Sequence, residues 1–307
     1  MIFGRILIAI GSSFAFLGAL KVAADILPKN NFSLAVGLTN TIGVLGGIFG
    51  QIFLSYLIKK ISWENTLLYL GYSGILVSIF LYLIIPKKKK KLTKVSWNNF
   101  FDELYILKSK SLWFISIYSG IMVGTIVNAF SELYDIIFLE YTYNIDTIKA
   151  ASVSSSIFIG IAVGGPLHGI LSKFLNSKKN WMIIGNICTV IIFFLIIFFP
   201  KLFNIYTLYI VYFLLGFFVS SMLLAFSIIR DIFETKVHAI SIALTNTIIG
   251  LSGAFFQIFI GYISFFINDG DIKAINNPNV FKESFVILLI PLLISTYLIS
   301  KVKIKSK

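Results

Sequence analysis

Carboxylates, amines and amides are scarce inside the apolar stretches of this 307-residue chain, and that scarcity singles out the few able to do chemistry. An ionised side chain at mid-bilayer costs from about 2.5 kcal/mol upward, so a charge kept in an apolar run is a functional candidate. Lys21 and Asp25 stand four apart on one helical face, placed to pair with each other or to meet a solute or ion. Glu132 lies about 30 Å along its helix from Ser111 at 1.5 Å per residue, and is the first candidate for a carboxylate that couples an ion to a solute. Asp135, nearly a turn further, is expected to be hydrated at the helix end. Asn40 and Gln51 are close to three helical turns apart and share a face, and Asn246 and Gln257 repeat that arrangement. Such amides either line a polar path or tie helices together. Asn128, Tyr118, Ser12 and Ser13 are further polar positions within helices.

Catalysis finds no comparable support. His168 and His238 are the only histidines, both near helix ends, and no zinc-protease, nucleophile-elbow or phosphate-loop motif occurs. Cys188 is the sole cysteine, which excludes an intramolecular disulfide and a thiolate metal cluster. The sequence therefore predicts no enzyme, no cofactor and no metal site. Without a nucleotide motif, any uphill movement of a solute must draw on an ion gradient.

The elements that must hold these residues are membrane helices. The chain is 58% hydrophobic and 13% charged, with 31 Phe, and nine apolar runs approach the roughly 20 residues needed to span a bilayer. They fall at about 4–26, 33–58, 66–85, 111–139, 149–175, 181–199, 205–233, 239–267 and 283–300, without the alternation of barrel strands. The expected fold is all-α and polytopic. Within it the segment GLTNTIGVLGGIFGQIFLSYL at 37–57 recurs as ALTNTIIGLSGAFFQIFIGYI at 243–263, identical at twelve of 21 positions. Two related membrane halves are the architecture of secondary transporters, whose solute site lies between repeats. Three runs precede the basic stretch at 87–110 and six follow it, so the chain is expected to comprise a partial first half at 1–86, a linker at 87–110 and a six-helix half at 111–307.

Charge position then sets orientation. One set of alternate loops holds 18 Lys and Arg, including the eight lysines from Lys87 to Lys110, and the opposite set holds six. The positive-inside rule places the first set, with the C-terminus, in the cytoplasm and the N-terminus outside. This distribution, more than the net charge of +13, argues against nucleic acid as a partner. After Pro86 and its run of lysines, Trp97, Phe100, Phe101, Leu104, Ile106 and Leu107 recur at helical spacing, as expected of a short helix lying on an anionic lipid surface. Ser152, Ser156, Gly160 and Gly164 fall four apart, a stripe that lets helix backbones approach closely in lipid.

Several patches together resemble the major facilitator superfamily, from its fourth helix to its twelfth. Gly4-Arg5-Ile6-Leu7 followed by Gly11 is similar to the opening of helix four, Pro28 to Gly37 to the loop before helix five, and Trp63 to the Gly-Trp-Arg turn before helix six. Ala129 to Tyr134, Phe138-Leu139 and Gly160 to Leu167 are similar to helices seven and eight of bacterial solute transporters. The resemblance implies an alternating-access carrier of a small polar solute (an amino acid, short peptide or organic acid) in the bacterial inner membrane, proton-coupled, with helices one to three absent or supplied by a separate polypeptide. It assigns Arg5 to the helix-four motif and Gly169, Ser172 and Lys173 to the inner gate loop, where lysine replaces the family's aspartate. The competing expectation is a truncated membrane protein that does not transport, or a scaffold that binds a partner.

Overall fold

Unbroken apolar composition, punctuated by few helix breakers, gives a structure that is helical wherever it is regular. The computed structural model describes residues 2–84, 101, 103–175, 177–267 and 278–303. Among these are helices α1 (Ile2–Ile26), α2 (Lys29–Ile61), α3 (Trp63–Ile84), α4 (Lys110–Met122), α5 (Asp135–Tyr143), α6 (Thr147–Phe174), α7 (Lys178–Phe198), α8 (Ile205–Val219), α9 (Leu224–Ile232), α10 (His238–Ile267) and α11 (Pro278–Lys301). A π-helical segment, Val123–Tyr134, joins α4 to α5, and a 3-10 turn, Ser220–Leu223, joins α8 to α9, so the described chain forms nine long rods. Seven of the rods are long and apolar enough to cross a membrane.

The rods end where capping chemistry ends them. Asp146, Ser177 and Asn204 each accept a backbone amide at the start of the following helix, satisfying donors that have no partner within it. Asn144 adopts φ 51° in the turn after α5, a left-handed conformation that asparagine tolerates. Ser62 does the same at φ 74° between α2 and α3, before Trp63. Of the linker expected at 87–110, positions 87–100 and 102 lie outside the described residues, which resume with a 3-10 turn at Leu104–Lys108 that buries Ile106.

The described residues divide into two units, 1–41 with 103–307, and 42–102. In the second, α3 is exposed along nearly its whole length, with Thr66 its buried residue. In the first, lipid provides no hydrophobic drive to assemble helices, so close packing and interhelical hydrogen bonds carry the association. The small-residue stripe of α6 is one such surface: a Cβ on Gly160 would lie 2.0 Å from the Phe213 carbonyl oxygen, and one on Gly216 would lie 1.9 Å from that of Ile157. Around Phe130 an aromatic core assembles from Phe193 at 5.0 Å, Phe285 at 5.1 Å and Tyr212 at 6.0 Å between ring centres. Ser116 and Thr245, 2.8 Å apart, tie α4 to α10, and Asn186 donates to Ser295 at 2.6 Å between α7 and α11.

Candidate functional site

The π-helical segment is where polar groups gather. A π-helix closes i→i+5 hydrogen bonds around wider turns, a geometry frequent at functional sites. Here the Asn128 carbonyl accepts the Gln257 side-chain amide of α10 at 3.1 Å, and the Asn128 side chain donates to Glu132 at 2.8 Å. Gly253 of α10 leaves room for this arrangement, since a Cβ there would lie 2.7 Å from the Asn128 side-chain oxygen. Glu132 itself is exposed. Three residues picked out by sequence, Asn128, Glu132 and Gln257, are thus brought together in one corner between the π segment and α10, with a carboxylate on its open side.

Asp135 departs from expectation. Instead of being hydrated at a helix end it is 1% exposed, and neither carboxylate oxygen closes a hydrogen bond. The reason is length: the rod continues through α5 to Tyr143, 34 residues or about 51 Å in all, so position 135 is well inside it and is covered by neighbouring helices. Tyr118, expected as a lesser pathway group, is instead fully buried and donates to the Met182 carbonyl at 3.1 Å.

A second polar assembly lies where α1 meets α2. Arg230, in the last turn of α9, donates to the carbonyls of Ala24 at 2.6 Å, Leu27 at 2.8 Å and Pro28 at 3.4 Å, and its guanidinium lies 4.5 Å from the Phe32 ring centre. Helix-terminal carbonyls lack intrahelical partners and carry partial negative charge, which makes them natural acceptors for a cation. Ser33 and Ser227 approach to 2.6 Å, and Lys178 donates at 2.6 Å to both Ser227 and Asp231. A Cβ on Gly37 would lie 2.3 Å from the Gly165 carbonyl, and Thr41 donates to the Ala162 carbonyl. Helices α2 and α10, which carry the two copies of the repeat, both start from this end.

Sequence comparison bears on this arrangement of long rods, an echoed pair of helices and polar groups inside them. The sequence model of the Major Facilitator Superfamily matches residues 1–151 and 135–304. The chain belongs to the Major Facilitator Superfamily. It is an integral membrane transporter of the major facilitator type. Comparison with curated proteins gives no match.

Within this major facilitator protein the remaining candidates fall as follows. Lys21 and Asp25 form an ion pair of 3.2 Å beside the Arg230 assembly, apart from the Asn128–Glu132 corner. Asn40 is half-buried with its amide nitrogen unpartnered, and Asn246 is half-buried. The side chains of Arg5 and Gln51 lie outside the described residues. Gly169 packs against α2, where a Cβ would lie 2.9 Å from the Leu34 nitrogen, Ser172 donates to the Gly169 carbonyl at 3.3 Å, and Lys173 is exposed. His168 is saturated: its Nδ1 accepts the Trp181 indole at 2.6 Å, leaving Nε2 to donate to the Phe217 carbonyl at 2.6 Å.

Sequence reasoning misplaced Asp135 and passed over Arg230. For Asp135 the missed signal is the lack of any breaker between it and Asn144. For Arg230 it is a cation placed one turn before the end of an apolar run, next to Asp231, which can serve another helix's carbonyls as well as a loop.

Proposed function

We propose that this transporter moves a small polar solute (an amino acid, short peptide or organic acid) by alternating access, driven by protons, and that the Asn128–Glu132–Gln257 corner contacts the solute. The observation that carries the reading is the corner itself: a carboxylate held by an amide on a π-helical segment, open on one side, and cross-linked to a repeat helix. The Asn128 amide holds the Glu132 side chain, and the exposed carboxylate oxygens can accept N–H or O–H groups of a solute. Arg230, Ser33 and Ser227 close the opposite approach, so solute enters this conformation from the other end. The membrane is a bacterial inner membrane, with the Arg230 end facing the cytoplasm.

The test is uptake of labelled amino acids, dipeptides and carboxylic acids into proteoliposomes of the full-length protein under an imposed proton gradient. Glu132→Gln keeps shape but replaces a charged acceptor, and is expected to weaken half-saturation for the accepted solute at least about tenfold, the equivalent of one charge-assisted hydrogen bond. Unchanged half-saturation and rate in that variant would remove the corner from the solute path.

A further inference from the structure

Among the described residues, nine buried side-chain polar atoms close no hydrogen bond, and five of the nine sit on four neighbouring residues: Ser131, Asp135, Thr142 and Tyr212. An unpaired buried polar group costs about 1–3 kcal/mol, and a charged one more, so a concentration of them in one place demands a purpose. Ser131, Asp135 and Thr142 recur at intervals of four and seven along one rod, which puts them on one face. Tyr212 reaches this face from α8, and the Ser154 hydroxyl of α6 lies against the carboxyl together with the Ile136 amide. The stripe leads to a pocket of about 430 Å³ at the Tyr143 end, lined by Phe138, Thr142, Phe198, Lys201 and Lys282 among others.

Tyr212 of α8 is the titratable group that meets Asp135, and Tyr143 in turn stands near Tyr212. From α7 and α11 the neighbouring core groups are the Phe193 and Phe285 rings, which are uncharged. Among the described residues no salt bridge holds the Asp135 carboxyl. Protonation supplies what is missing. It removes the charge and adds an O–H donor that the Ser154 or Tyr212 oxygen can accept.

We infer that Asp135 binds and releases one proton in each transport cycle, taking it through the Thr142 pocket. An O–H bond forms on an Asp135 oxygen as one O–H bond of a hydronium ion in the pocket breaks, leaving water; release is the reverse, and no oxidation or reduction occurs. The inference deepens the transport reading, on which it rests for the use made of the proton, and separates the two acids of this rod. Glu132, on the open face, meets solute, while Asp135, on the covered face, carries the proton.

Infrared difference spectroscopy of the full-length protein in lipid, with the pH stepped from acid to alkaline, reads the carbonyl stretch of a protonated carboxyl directly. The expected result is a band in wild type and in Glu132→Gln that is lost in Asp135→Asn. A band that survives in Asp135→Asn, or that vanishes in Glu132→Gln, overturns the assignment. Should Asp135→Asn fail to fold, Asp135→Glu decides instead, since moving the acid along one methylene shifts the band if this residue produces it and leaves the band in place if it does not. In proteoliposomes Asp135→Asn is expected to lose proton-driven accumulation and to keep exchange of the same labelled solute; full accumulation without the band would overturn the coupling. Wild-type vesicles that accumulate none of the solutes would sink the transport reading, while the infrared titration still settles whether Asp135 takes up a proton.

Discussion

Arg230 is the residue that joins α9 to the end of α1. Its guanidinium serves three carbonyls at the end of α1 and covers the Phe32 ring, combining fork geometry and ring stacking that lysine lacks. Hydrogen bonds to a charged group contribute about 1.5–3 kcal/mol each, so Arg230→Ala is expected to weaken this closure by about 2 kcal/mol or more. Ser33 and Ser227, with oxygens 2.6 Å apart, provide the gauge. With both replaced by cysteine and Cys188 by serine, mild oxidation should cross-link the pair quickly, and adding Arg230→Ala should slow that cross-linking by tenfold or more. Equal rates in the two backgrounds would show that Arg230 does not hold the ends together. The same cation is expected to be only partly replaced by lysine, which reaches one carbonyl as a point charge.

At the scale of elements, two kinds of helix surface do different work. The face of α6 against α8 admits no side chain at Gly160 or Gly216, because the opposing carbonyl oxygens stand where a Cβ would be. Gly160→Ala is therefore expected to force the helices apart, costing about 1–3 kcal/mol and lowering the melting temperature measured in detergent. Gly250 lies on a face of α10 with no described atom within 4 Å of its Cβ position, so Gly250→Ala should leave stability unchanged or raise it by up to about 1 kcal/mol through helix propensity. A loss of stability at both sites, or at neither, would mean that backbone approach is not what holds α6 to α8. The π segment is the other kind of surface. Between the regular helices α4 and α5 it turns the polar Asn128 and Glu132 toward α10 and leaves Ser131 facing the interior, a division of faces that a regular helix over the same residues would not make in the same way.

For the whole molecule, the asymmetry of lysines is the governing fact. Eighteen basic residues against six, sorted by alternate loops, are expected to orient every rod at once, since positively charged loops are retained on the cytoplasmic side. Reporter fusions at Pro86, Asn204 and Lys307 are expected to show cytoplasmic activity at the first and last and external activity at Asn204. Cytoplasmic activity at Asn204, or external activity at either of the others, would invert the orientation and with it the direction in which the Thr142 pocket takes protons. The orientation also decides which side the Arg230 assembly seals, as that assembly and the pocket stand at opposite ends of the same helices.

Spans, helical class and the repeated pair of membrane segments were determined by the sequence alone, because each is a property of composition or spacing along one dimension. The Asn128–Glu132 pair was within reach for the same reason, four residues apart on one rod. What the tertiary structure decided is which face of each rod is covered. Most of these helices are apolar nearly all round, so no amphipathic stripe announces an inner face, and in the rod that carries Glu132 and Asp135 the π segment shifts the angular register that a 3.6-residue period would assign. Glu132 and Asp135, three residues apart and alike in sequence, came to opposite environments through the packing of α6, α8 and α11 around one side of their rod. Arg230 found its acceptors on a helix two hundred residues earlier, and no spacing along the chain encodes a meeting made only by folding.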